Sequence, residues 1–218
     1  KQLNFLDLLF PKRCLFCLEA GQYLCDNCWE KLQFHKTQIC PYCEKESLEG
    51  KTHFNCLKKS KLLGLVSVLQ YSDGLSKKIL HGFKYQFISD LKLLISKVIL
   101  SFLSKSDSLY ELTKFIQSKP EIIPIPLHKK RKAWRGFNQT ELIAKELAKF
   151  FGLSVKSNYL YRKKETLPQV DLQRKERKEN IKGVFAVNKK KAPNNKRLLL
   201  LDDVWTTGET MRQAGGEL

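Results

Sequence analysis

Residues 198–211 read Leu-Leu-Leu-Leu-Asp-Asp-Val-Trp-Thr-Thr-Gly-Glu-Thr-Met, and this stretch decides the fold. Four leucines between Arg197 and an acidic pair have the length and continuity of a short, fully buried strand in a parallel sheet. The strand stops at Asp202 and Asp203. A turn rich in small residues follows, with Thr206, Thr207, Gly208 and Thr210, and beyond it Met211, Ala214 and Leu218 have helical spacing. The turn therefore stands where a strand hands over to a helix. A helix N-terminus presents unpaired N–H groups and a partial positive charge, and glycine lets the backbone approach a ligand closely. Threonine hydroxyls add donors to the same nest, which suits a phosphate. Two carboxylates beside it suit sugar hydroxyls, or a magnesium ion held between sugar and phosphate.

These residues resemble the ribose-5-phosphate loop of type I phosphoribosyltransferases, which bind phosphoribosyl pyrophosphate (PRPP). The resemblance implies that Asp202 and Asp203 hold the ribose hydroxyls, and that the turn of Val204, Thr206, Thr207, Gly208 and Thr210 wraps the 5′-phosphate of PRPP taken up with Mg²⁺. It speaks for fold and PRPP binding more than for turnover, because regulators reuse such a site without catalysis.

The 218 residues suffice for one medium domain with a small appendage, and 42% apolar residues can build a real core. Lys and Arg outnumber Asp and Glu by 40 to 22, a formal charge of +18. That excess favours a polyanionic partner, nucleic acid first, although a solvated lysine-rich surface would give the same count. No segment reaches the roughly 18 uninterrupted apolar residues of a membrane span. The most apolar stretch, Leu91 to Leu103, is broken by Lys92 and Lys97, and Asp7 interrupts the apolar N-terminus, which lacks a small-residue cleavage site. A cytoplasmic protein without a transmembrane segment is expected.

All seven cysteines precede residue 57, as Cys14-x2-Cys17, Cys25-x2-Cys28, Cys40-x2-Cys43 and a single Cys56. A Cys-x2-Cys pair offers two thiolates to one metal from a tight turn, and two pairs complete a tetrahedral zinc site. His53 stands three residues before Cys56 and supplies an eighth ligand at the same spacing. Two structural zinc sites follow, Cys14/Cys17/Cys25/Cys28 and Cys40/Cys43/His53/Cys56, while an interleaved pairing satisfies the spacing equally. The odd cysteine count argues against disulfides, and full ligation leaves no open position for a catalytic water.

Residues 1–60 thus read as a zinc module and 61–218 as an α/β domain. Gly64–Tyr71 alternates like a strand. Leu75, Ile79, Leu80 and Phe83 mark one helix face, and Leu91 to Phe102 a second, deeply buried helix. Ile122–Ile125 is a short buried strand bounded by Pro124 and Pro126. Asn138 opens another helix, with Glu141 as its capping-box partner. Tyr159–Tyr161 reads as an edge strand, Arg162 to Asn180 as a long functional loop and Gly183–Val187 as a strand. Strands alternating with helices imply a parallel sheet.

Further segments carry a wider resemblance. Ile79-Leu-His-Gly-Phe-Lys-Tyr85, Pro124-Ile-Pro126, Arg135-Gly-Phe-Asn-Gln139, Thr166-Leu-Pro-Gln169 and Glu176-Arg-Lys-Glu-Asn180 occur in order between the cysteine pairs and the Asp202 loop. Together they resemble the ComF family of bacterial competence proteins. The resemblance implies a double zinc ribbon joined to a parallel-sheet type I phosphoribosyltransferase fold, acting on incoming single-stranded DNA in natural transformation. It makes the segment after Pro126 a pyrophosphate loop, the 162–180 loop a hood, and Arg177 a charge clamp acting with Asp202 and Asp203 in catalysis. The family continues past this C-terminus into a further strand, so an incomplete sheet edge and acceptor pocket are expected. Lys129, Lys130, Arg131, Lys132, Trp134 and Arg135 are candidates for single-stranded DNA, with Trp134 and Phe137 stacking on bases. The same lysines read equally as a solvated basic run. Competing functions are a nucleobase-salvage phosphoribosyltransferase and a PRPP-sensing adaptor whose ribbons bind other competence proteins.

Overall fold

The computed structural model describes residues 11–71, 74–86, 88–105, 109–166, 180–195 and 197–218. The N-terminal part repeats one backbone device twice. Cys14 N donates to Glu19 O and Leu18 N to Cys14 O, and one ribbon later Cys40 N donates to Lys45 O and Glu44 N to Cys40 O. Leu18 and Glu44 hold equivalent places after their Cys-x2-Cys pairs, and both take positive φ, 69° and 61°. Each knuckle is followed by a one-turn helix, α1 (Asp26–Trp29) and α2 (Phe54–Leu57), with one further candidate ligand at its N-cap (Cys25, His53) and one inside it (Cys28, Cys56). A two-residue ladder of β1 (Gln38–Ile39) with β2 (Glu46–Ser47) braces the second knuckle.

Gly64–Tyr71 is not a strand of the sheet. It lies extended against the ribbons, where Gly64 and Leu69 make isolated bridges to Lys51 and Phe34. Leu65 N donates to Gly50 O and His35 N to Val68 O. The adjacent Val68 and Leu69 both pack on the first-ribbon core, so the segment is covered by the ribbons without a neighbouring strand.

Two helices follow, α3 (Gly74–Tyr85) and α4 (Leu91–Lys105). The apolar face of α3 is buried through Leu75, Ile79 and Phe83. Of the deeply buried helix expected next, only Leu91, Ser96, Val98 and Phe102 are buried, because α4 covers the core with one stripe. One helix not expected from the sequence, α5 (Tyr110–Gln117), has no fully buried residue and rests on a half-buried face of Leu112, Phe115 and Ile116.

The parallel sheet has the order β4-β3-β7, with β3 (Glu121–Pro124) between β4 (Ser154–Val155) and β7 (Leu198–Leu201). Side chains alternate across it as the pleat requires. Ile122, Leu199 and Leu201 face α3, α4 and α7 (Gln139–Phe151), while Ile123, Ile125, Leu198 and Leu200 face the opposite layer. That layer contains α8 (Glu209–Glu217) and an antiparallel ribbon of β5 (Leu160–Arg162) with β6 (Phe185–Val187). The expected strands around 160 and 185 therefore exist, but they form this separate ribbon rather than joining the parallel sheet. The leucines of β7 are half-buried rather than fully buried, since among the described residues β7 pairs only with β3.

Pro124 is tolerated in the middle strand for a local reason. Glu121 N and Ile125 N donate toward β7, to Arg197 O and Leu201 O, so the even-numbered positions face β4. The β4 ladder has ended at Val155 before Pro124 is reached, and no donor is missing there. A short helix, α6 (Lys129–Arg135), occupies the segment read as a loop after Pro126, and Gly136 ends it at φ 81°.

Candidate functional site

Two centres emerge, one of metal ligands and one at the carboxyl end of β7. At the first, the ligand atoms of Cys14, Cys17, Cys25 and Cys28 lie within 4.8 Å of one another, as do those of Cys40, Cys43, His53 and Cys56. Tetrahedral zinc with ~2.3 Å bonds to sulfur places its ligands roughly 3.8 Å apart. The 3.4 Å between Cys17 and Cys25 Sγ, and the 3.3 Å from Cys43 Sγ to His53 Nδ1, fit a collapsed version of that geometry. The quartets are sequential, and the chain does not interleave them.

His53 occupies the place of Cys25 in the repeat: Cys28 N donates to Cys25 O, and Cys56 N to His53 O. Its Nε2 lies 3.1 Å from Glu46 O, which fixes the proton there and leaves the Nδ1 lone pair facing Cys43. Burial raises the Cys14 and Cys40 thiols, but backbone N–H groups aimed at each sulfur outweigh it and bring both to about 6. For Cys14 these come from Cys17, Cys25 and Phe16, and for Cys40 from Cys43, His53 and Tyr42. Burial and the neighbouring sulfurs push Cys28 and Cys56 up, so each quartet pairs a thiolate-forming sulfur with one that needs a cation to ionise, and the residues fit structural zinc.

The second centre is assembled from four distant parts of the chain. Asp202 and Asp203 leave the end of β7, and the turn from Val204 to Gly208 leads into α8. Gly208 takes φ 72°, and a Cβ on it would stand 2.3 Å from the Trp205 ring, so only glycine fits. Thr206 is exposed, and Val204, Thr207 and Thr210 are half-buried. Lys84, from the end of α3, donates to Asp203 Oδ1 at 2.9 Å, and Gln139 Nε2 donates to Asp203 Oδ2 at 2.6 Å. Arg135 Nη1 in turn donates to Gln139 Oε1 at 2.6 Å. Arg162 donates through Nε to Pro126 O at 2.8 Å and through Nη1 to Thr166 Oγ1 at 3.1 Å.

Charge follows this geometry. Burial would lower the Lys84 pKa, but the Asp203 carboxylate raises it above its ordinary value. Asp202 is pushed up to about 7, first by burial and then by the Asp203 charge, against the pull of Asp203 N–H, Lys84 and Arg162. One carboxylate is thus fully paired, whereas its neighbour titrates near neutrality.

Every residue of Arg135-Gly-Phe-Asn-Gln139 now has a part. Gly136 turns the chain, Phe137 packs on Phe83 with ring centroids 5.5 Å apart, and Asn138 Nδ2 donates to Ile125 O at 3.0 Å. Asn138 therefore caps the strand end instead of its own helix. The expected capping box is absent, and Glu141 pairs with Lys145 and Lys132.

The candidate DNA residues divide. Lys129, Lys130, Lys132 and Trp134 are exposed on α6, with Lys130 paired to Glu165 at 2.7 Å and Lys132 3.4 Å from Glu141. Arg131 is half-buried and donates to Thr166 O. Arg135 does not stand with them: it is 6% exposed and turned into the Asp203 network. Phe137 is likewise unplaced for stacking on a base, since its ring packs on Phe83. Arg177 and most of the 162–180 loop lie outside the described residues.

Lys84, Gln139 and Arg162 are the site residues that the sequence reading did not assign. Lys84 follows Leu80 by one turn and so continues the apolar face of α3. A charge on a face otherwise buried is the signal that could have found it.

Among the described residues, no helix is long and apolar enough to cross a membrane. Residues 5–57 match the double zinc ribbon domain. Over 97% of its length the chain is 29% identical to competence protein F of Haemophilus influenzae, covering 90% of that protein. It is 27% identical to the DNA utilization protein YhgH of Escherichia coli, over 94% of this chain and 90% of that one. To competence protein ComFC of Bacillus subtilis it is 26% identical, over 93% and 80% of the two chains. No solved structure matches. A double zinc ribbon is thus followed by similarity along nearly the whole chain to proteins named for competence and for DNA utilization.

Proposed function

We propose that the cleft at the end of β7 binds PRPP with Mg²⁺, and that the protein serves DNA uptake by handling incoming single-stranded DNA in the cytoplasm. The observation that carries the PRPP half is the juxtaposition at Asp202–Asp203. Two carboxylates for the ribose hydroxyls stand between a glycine turn at a helix N-terminus and the cations Lys84, Arg135 and Arg162. Sugar, 5′-phosphate and diphosphate each meet groups of the right charge. Asp202 and Asp203 are the residues that would face a magnesium ion, which supplies charge neutralisation to the diphosphate when bound.

If the site turns over, loss of pyrophosphate leaves negative charge on the departing group and positive charge on the sugar carbon. Lys84, Arg135 and Arg162 are fixed in place for the first and Asp202 for the second, so little reorganisation is needed. Arg177 keeps its role as charge clamp from the family resemblance alone.

The DNA half rests on the names of the relatives, competence and DNA utilization proteins, and on the formal charge of +18. The exposed face of α6, with Lys129, Lys130, Lys132 and Trp134, offers cations and one stacking ring. Other competence proteins are proposed partners of the ribbons.

Calorimetric titration of Mg-PRPP tests the first half. Asp202→Ala and Asp203→Ala should each weaken binding by roughly ten- to a hundred-fold, the worth of a charge-assisted hydrogen bond. Unchanged affinity in both variants contradicts the site. Pyrophosphate release that depends on one added nucleobase would favour the salvage reading over DNA handling, and PRPP binding without DNA binding would favour the adaptor.

A further inference from the structure

Arg212 lies one turn into α8, outside the 202–210 run, and its guanidinium reaches in two directions. Toward the second ribbon, Nε donates to Pro41 O at 2.9 Å and Nη2 to Glu44 Oε1 at 2.7 Å. Toward the turn, Nη1 donates to Thr207 O at 2.7 Å and lies 3.4 Å from Glu209 Oε1. The guanidinium also sits over the Trp205 ring, 5.3 Å from its centroid, and the same ring packs against Gly208. Pro41 lies between the ligands Cys40 and Cys43. Glu44 is the positive-φ residue whose N–H closes that knuckle on Cys40 O. A second contact runs alongside: Leu62, just past the ribbon, packs on Gly215, where a Cβ would come within 2.7 Å of it.

We infer that Arg212 is a positioning residue that builds the second metal knuckle into the frame of the phosphate turn. The quartet Cys40/Cys43/His53/Cys56 fixes the knuckle, and so fixes Pro41 O and Glu44. These hold the guanidinium, and the guanidinium holds Thr207 O and Trp205, from which the amides of Thr206 to Gly208 take their direction. A planar fork can satisfy acceptors on two sides at once, whereas the point charge of lysine cannot. The first quartet has no such part, since it packs on α3 and α4 through Leu75, Ile79 and Val98. The structural half of this inference stands on the contacts alone. Its consequence for affinity rests on reading the 202–210 turn as the PRPP phosphate site.

The test uses the full zinc-loaded chain, with hydrogen exchange of amides 204–210 and Mg-PRPP titration read in parallel. Arg212→Met should keep two zinc per chain, raise exchange at 204–210 and weaken Mg-PRPP about tenfold, the loss expected for charge-assisted bonds. Arg212→Lys should fail to rescue either readout, and Glu44→Gln, which keeps an acceptor, should stay close to wild type. Cys43→Ser should reproduce the Arg212→Met effect, and the double variant should be no worse than either single one. Amides 121–125 should keep their protection in every variant and report an intact sheet. If Cys43→Ser does not fold, Arg212→Met with Glu44→Ala decides the matter in its place. Unchanged exchange at 204–210 in Arg212→Met, or strictly additive effects of ribbon and Arg212 variants, would overturn the inference. Should wild type bind no Mg-PRPP, the PRPP reading fails while the exchange data still decide the coupling.

Discussion

The ribbons and the β7 cleft both crowd negative groups together, but they are held by different means. Each ribbon quartet is gathered by two short turns, with ligand atoms within 4.8 Å and partners close in sequence. Like charges at such distances need a metal to offset their repulsion, and little else in a stretch this short could hold it together. In the cleft, the Asp203 carboxylate meets Lys84, 119 residues away, and Gln139, 64 residues away. There the counter-charge belongs to the protein and is delivered by α3 and α7, whose positions the main core sets. The ribbons therefore depend on an added ion, and the cleft depends on the fold being complete.

The largest expected effect breaks the ribbon side. Elemental analysis should find two zinc per chain, and Cys14→Ser should unfold the first ribbon, since structural zinc contributes on the order of 10 kcal/mol. The damage should not stop at residue 60. Cys14, Cys25 and Cys28 share a core with Leu75 and Ile79 of α3, the helix that presents Lys84. Exchange protection of α3 should fall with that of residues 12–35. Full protection of α3 in a zinc-free first ribbon would separate the two regions more than the packing allows.

Next comes the cleft's own pair. Asp203→Ala leaves Lys84 without its partner, beneath a side chain only 21% exposed. Breaking such a pair costs about 3–5 kcal/mol, so the variant should lose stability as well as ligand. Chemical denaturation measures this, and Asp203→Ala with wild-type stability would show that the pair does not form. Gly208→Ala should cost about 1–3 kcal/mol from positive φ alone, with the Trp205 ring displaced in addition.

The Asp202 effect is smaller and opposite in sign. Its carboxyl is raised from 3.8 to about 7, so between those values the folded chain binds a proton that the unfolded chain has released. The stability contributed by this group is therefore present at low pH and is lost as pH rises toward 7. Asp202→Asn should remove that slope and be more stable than wild type at pH 8, while losing Mg-PRPP affinity. An unchanged slope would mean that another group titrates there.

What the sequence disclosed follows the same division. The grouping of these eight residues into two quartets was legible because their spacing is local, and the x2 repeat alone pointed to His53. The β7 strand and its turn were legible because both lie in one run of fourteen residues. Lys84 and Gln139 were not, since nothing local says that a lysine at the end of one helix will meet an acid 119 residues on. Arg135 and Phe137 misled for a related reason. A basic, aromatic stretch looks exposed until α6 ends at Gly136 and turns both side chains inward.

The smallest expected effect lies on the exposed face of α6. Replacing Lys129, Lys130 and Lys132 with Gln, and with them the half-buried Arg131 beside that face, should flatten the salt dependence of single-stranded DNA binding, by ~0.7 in log–log slope for each phosphate no longer neutralised. Trp134→Ala should weaken binding by about 1–3 kcal/mol without changing that slope. Equal losses from four Gln replacements scattered over other basic positions would make the α6 patch generic.

A crystal structure of the full chain grown with Mg-PRPP decides whether the β7 cleft takes a sugar phosphate. Ribose hydroxyls should lie on Asp202 and Asp203, the 5′-phosphate on the amides between Thr206 and Gly208, and the diphosphate toward Lys84, Arg135 and Arg162. PRPP bound elsewhere, or a cleft that stays closed by Lys84 and Gln139 at saturating ligand, would contradict that placement.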